Sequence, residues 1–160
     1  MPRVAFSSKG DRPQIGIYSY GTSKQQDYTG QFEFDVSLLR DPAGQKQFLG
    51  FNGLYPQVRD WVGVDRRVPI IIRDCQLLAD DMALPKPKEG QDKPAPISPY
   101  ISFAFKDFHG KWIAPAVAEL VADVLSKKGF RVAIHHRGIP PAERPESYVV
   151  SDEVSKEITK

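Results

Sequence analysis

The sequence is short of several features, and each shortage removes a class of explanation. It has one cysteine, Cys75, in 160 residues, so no internal disulfide braces the fold. No stretch approaches the ~20 consecutive apolar residues of a membrane span; even "VPIIIRDC" meets charge within five positions. The start, "MPRVAFSSKGDRP", lacks the apolar run of a secretion signal. These absences predict a soluble, cytoplasmic protein with no membrane partner. Charge of one sign is scarce too: 22 Lys and Arg stand against 20 Asp and Glu, a net charge of +2. A surface that follows a nucleic-acid backbone over its whole extent is excluded, and any anion site must be local. No Gly-x-x-x-x-Gly-Lys-Ser/Thr loop occurs, so nothing in the sequence supports an inference of nucleotide chemistry. Cys75, His109, His135 and His136 have neither a helical i, i+4 nor a Cys-x-x-Cys spacing, which argues against a metal site. No nucleophile–base pair is visible, and Cys75 sits on an apolar helix face. The expectation is therefore no enzyme, no catalytic residues, no metal and no cofactor.

What remains is a chain with 41% hydrophobic residues, enough for one ordinary core. After a flexible basic arm at 1–12, "PQIGIYSYG" (13–21) reads as a buried strand. In "QFEFDVSLL", Phe32, Phe34 and Val36 alternate with Glu33 and Asp35, the period-2 pattern of a half-buried strand. Short helical pieces follow around Val58, Trp61 and Val62. In "VPIIIRDCQLLADDMAL", the positions Ile71, Cys75, Leu78 and Met82 make one apolar helix face, with Pro69 in the first turn. Residues 85–97 form a proline-rich loop inside one domain rather than a domain boundary.

The clearest unit is 99–136. Ile101, Phe103 and Phe105 alternate in a strand, and Ile113, Val117, Leu120, Val121 and Val124 form a helical stripe. Lys127, Lys128 and Gly129 end that helix, and "FRVAIHH" resumes as a strand. A β-loop-α-β crossover implies parallel pairing, so the fold class is α/β: a single domain over 13–137, with a mixed or parallel sheet flanked by helices. Residues 138–160 are a polar tail.

Two stretches at the strand ends invite a functional reading. The loop Lys106–Lys111, "KDFHGK", joins a strand to a helix start, where backbone N–H groups and the helix dipole favour an anion. Asp107 would add repulsion there. Arg137 follows His136 at the next strand end and suits a phosphate or RNA contact, with His109 and His136 facing one crevice. Asp35 is the carboxylate at that crevice if its strand lies centrally. Phe108 and Trp112 lie near Lys106 and Lys111, an aromatic–basic mixture able to stack single-stranded bases.

Three stretches carry a family resemblance: "SYG" with "FDVSLLRDP"; "NGLYPQVRDWV"; and "FAFKDFHGKWIAPAVAELVADVL" with "KGFRVAIHHR". Over roughly residues 14–138 the chain resembles the C-terminal domain of RNase adapter proteins of the RapZ type. Gly110, Glu119, His136, Arg137, Asp35 and Pro42 match the family pattern. Asp107 stands at its cysteine, Lys106 and His109 at two of its glycines, Trp112, Ile113 and Ala114 at its His-Arg-Ser, and Ser37 at an arginine. The resemblance implies a stand-alone, divergent bacterial or bacteriophage relative. It also implies a non-enzymatic adapter that recognises RNA or a phosphorylated ligand in a crevice at the strand C-terminal ends. Lys106, His109, Gly110, Lys111 and Asp35 would bind the anion, and His136, Arg137, Lys111 and Trp112 the RNA. The alternative is a protein-interaction factor on the same scaffold with its ligand site lost. A protein partner and self-association are both compatible with either reading.

Overall fold

A computed structural model of the chain describes residues 13–24, 30–83, 90 and 100–148. The arm at 1–12, the loop at 85–97 apart from Gly90, and the tail beyond 148 lie outside them. Four strands, β1 (Gln14–Gly21), β2 (Phe32–Asp35), β3 (Tyr100–Asp107) and β4 (Arg131–His136), form one sheet in the order β2-β3-β1-β4. Every neighbouring pair is parallel, which narrows the expected mixed or parallel sheet to a parallel one. The helices are α1 (Pro56–Gly63), α2 (Val68–Ala83) and α3 (Ile113–Lys127), and the molecule is a single α/β domain.

The register explains the layers. Ile15 and Ile17 of β1 lie beside Ile101 and Phe103 of β3 and beside Val132 and Ile134 of β4. Period-2 alternation puts these residues on one face, where they share a core with Ala114, Val117, Val121 and Leu125 of α3 and Cys75 and Ala79 of α2. Helices crossing between parallel strands bury that face. The other face carries a smaller cluster of Tyr18, Tyr20 and Ala104. There the Tyr18 and Tyr100 hydroxyls meet at 2.7 Å, and Tyr20 donates to Glu33 Oε1 at 2.8 Å.

The α3 stripe is wider than its large side chains suggest. Ala114, Ala116, Ala118 and Ala122 are buried with Val117 and Val121, whereas Leu120 and Val124 are only partly covered. Small side chains let the helix lie close on the sheet. Gly129, at φ 95°, ends α3 in the left-handed conformation that its position suggests. Cys75 is fully buried on α2, and desolvation pushes its thiol up to about 12.

Candidate functional site at the strand C-terminal ends

Because all four strands run the same way, Asp35, Asp107, Gly21 and His136 end on one edge of the sheet. Three chain segments are pressed together there through glycine. Gly110 adopts φ 72°, and a Cβ on it would collide with the backbone of Tyr20 and Gly21. A Cβ on Gly138 would collide with the Gly110 backbone in turn, so the ends of β1 and β4 clamp the β3–α3 loop. Gly53 adds a fourth segment: its N–H donates to the Lys111 carbonyl at 2.8 Å.

Asp107 overturns the reading of a repulsive loop carboxylate. It is buried, and it accepts hydrogen bonds from the backbone N–H groups of Gly110, of Ile113 at 3.1 Å and of Ala114 at 3.0 Å. The amides at the start of α3 that would hold an external anion hold this side chain instead. Burial pushes the Asp107 carboxyl upward, and the three amides pull it back.

His136 also differs from expectation. Rather than facing a crevice, it is 2% exposed, with Nδ1 2.6 Å from Ser19 Oγ and Nε2 2.9 Å from Glu119 Oε2. Glu119 Oε2 accepts from the Tyr148 hydroxyl at 3.1 Å, and Arg59 approaches Oε1 at 4.0 Å. Ser, His and Glu in a hydrogen-bonded row resemble a nucleophilic triad. Here Ser19 is 0% and Glu119 2% exposed, so no substrate reaches the hydroxyl. The row works as a tie between β1, β4, α3, α1 and the segment after β4. Arg144 strengthens that tie by donating to the carbonyls of His136 at 3.4 Å and Ile139 at 3.2 Å.

The remaining candidates separate. Asp35 and Lys106 are register partners, which turns both toward the face opposite α3. β2 is an edge strand, so Asp35 is not in a central crevice; a hydrogen bond from the Ser37 side chain, then one from the Ser37 N–H at 3.0 Å, with a smaller pull from Lys106, lower its pKa. Trp112 is the residue before α3 and packs partly on the core. Lys111 is half-buried, with Nζ 3.5 Å from Glu143 Oε2. Arg137 is exposed, while its N–H donates to the Ser19 carbonyl at 2.9 Å. His109 and Phe108 are exposed and meet edge to face, their ring centroids 4.8 Å apart. Among the described residues, no group of three or more His, Cys, Asp or Glu side chains could hold a metal ion, and no helix is long and apolar enough to cross a membrane.

Ser19, Arg59 and Tyr148 escaped the sequence reading because 117 residues separate Ser19 from His136 and 29 separate Tyr148 from Glu119. One signal was present: Glu119 interrupts the apolar run "APAVAELVA", and a carboxylate on a buried helix face must find partners.

No curated protein sequence matches the chain significantly. The family model of the RapZ C-terminal domain matches residues 13–140, which include β1–β4, α1–α3 and the glycine clamp. That match extends across most of the chain, supports an adapter-type module, and shows that the chain belongs to the RapZ C-terminal domain family.

Proposed function

We propose that this domain is a non-enzymatic adapter that binds RNA along the edge formed by the strand C-terminal ends, with Lys111 and Arg137 contacting phosphates and His109 beside them. The observation that carries the reading is Asp107. With a carboxylate of the chain itself on the amides of Gly110, Ile113 and Ala114, a compact phosphate group finds those donors taken. An extended polyanion does not need them, because cationic side chains neutralise its phosphates from the surface. Arg137 is exposed, and Lys111 holds a half-exposed glutamate at 3.5 Å, a contact it can exchange. Gly110 serves as the wedge that shapes the loop, and His136 anchors the strand that carries Arg137.

Fluorescence anisotropy with a labelled single-stranded 12-mer RNA tests the reading. A Lys111→Ala, Arg137→Ala double variant weakens binding by about a hundredfold or more, since each of the two charge-assisted contacts is worth roughly 1.5–3 kcal/mol. Millimolar glucose 6-phosphate or inorganic phosphate leaves the wild-type melting temperature unchanged. Equal RNA affinity in the double variant refutes the assignment. A nuclease-insensitive protein partner, with no RNA binding, replaces it with a protein-interaction role.

A further inference from the structure

Phe108 has no role in the core, in the glycine clamp or in the buried row. Its side chain is 61% exposed at the tip of the β3–α3 loop. A single exposed aromatic is ordinary on a mobile loop. This loop is held from every side. The Phe108 carbonyl accepts from Ser23 N–H at 2.9 Å. On its chain neighbours, Asp107 bonds three amides, and Gly110 is wedged between Gly21 and Gly138. The His109 ring stands at 82° to the Phe108 ring and braces it. An apolar ring is therefore displayed from a loop whose backbone is fixed, on the same sheet edge as Lys111 and Arg137.

We infer that Phe108 is a stacking platform for one unpaired RNA base. The inference rests on the RNA reading above and gives it a substrate class, single strands over duplex. A ring already held in place loses little side-chain freedom on binding, and a base stacks on any π-face without sequence preference. Phosphates on either side of that base meet the cations, so charge and aromatic contact reinforce each other. Bases inside an A-form duplex are stacked on one another and cannot reach the ring.

The test uses the full chain, a single-stranded 12-mer RNA and a 12-base-pair RNA duplex. Phe108→Ala weakens binding of the single strand about tenfold and leaves duplex binding unchanged. Phe108→Trp keeps the single-strand affinity, and its added emission, taken as the difference from wild type, is quenched by the single strand. Far-UV circular dichroism of both variants checks that the fold is kept. Undiminished single-strand affinity in Phe108→Ala overturns the platform, as does an equal loss for both RNAs. If the Lys111→Ala, Arg137→Ala variant then still shows its loss, the RNA reading stands without the platform. Absence of RNA binding by the wild type removes both.

Discussion

Replacing Asp107 with alanine removes the acceptor of three backbone N–H groups at the start of α3. A buried donor left without a partner costs about 1–3 kcal/mol, so three set an upper bound near ~9 kcal/mol. Two effects reduce it. The vacated space is polar and can admit water, and the carboxylate's own desolvation, visible in its raised pKa, disappears with it. The expected loss is about 2–4 kcal/mol, or roughly 5–15 °C in melting temperature for a domain of this size. Asp107→Asn keeps one oxygen for Ile113 and Ala114 and fails only at Gly110, so its loss is about 1–2 kcal/mol. Urea unfolding followed by circular dichroism measures both. The pH profile adds a sign. The folded-state pKa of Asp107 lies above its ordinary value of 3.8, so the folded protein holds this proton to higher pH than the unfolded chain. Stability from this group therefore falls as pH rises above about 4. The advantage of wild type over Asp107→Asn is largest near pH 4 and shrinks toward pH 7. An alanine variant within about 0.5 kcal/mol of wild type at pH 7 refutes the capping role.

Gly110→Ala meets both a left-handed φ and the Gly21 backbone, so it costs above about 3 kcal/mol, whereas Gly129→Ala, left-handed in open space, costs only about 1 kcal/mol; thermal melts rank the two. Glu119→Ala deprives His136, Tyr148 and Arg59 of a shared acceptor and loses about 3–5 kcal/mol in urea, against about 1 kcal/mol for Tyr148→Phe. The Cys75 thiol, raised to about 12 by burial, resists iodoacetamide at pH 8 in the native protein and reacts after unfolding in urea, as mass spectrometry reads directly.

The fold was legible where periodicity is strong. The alternation of Ile101, Phe103 and Phe105, the α3 stripe and Gly129 marked β3, the helix and its end, and parallel pairing followed from the crossover. Strand order did not follow, because the pairing of β1 with both β3 and β4 depends on contacts more than 80 residues apart in sequence. At the site, sequence located the loop and the edge but misjudged two side chains. Asp107 reads as a loop charge because its bonded amides lie up to seven residues ahead, beyond the spacing of an ordinary helix cap. His136 reads as a strand-end ligand because strand alternation alone gives no sign that Ser19 and Glu119 lie on the same buried face.

In the proposed function, the strand C-terminal edge meets RNA phosphates through Lys111 and Arg137, the helix-start amides being filled by Asp107. Its most direct measurement is the salt dependence of single-stranded RNA affinity. Each phosphate neutralised on a single strand contributes about 0.7 to the slope of log K against log salt. The Lys111→Ala, Arg137→Ala variant should have a slope shallower than wild type by about 1.4, and an unchanged slope would contradict the account.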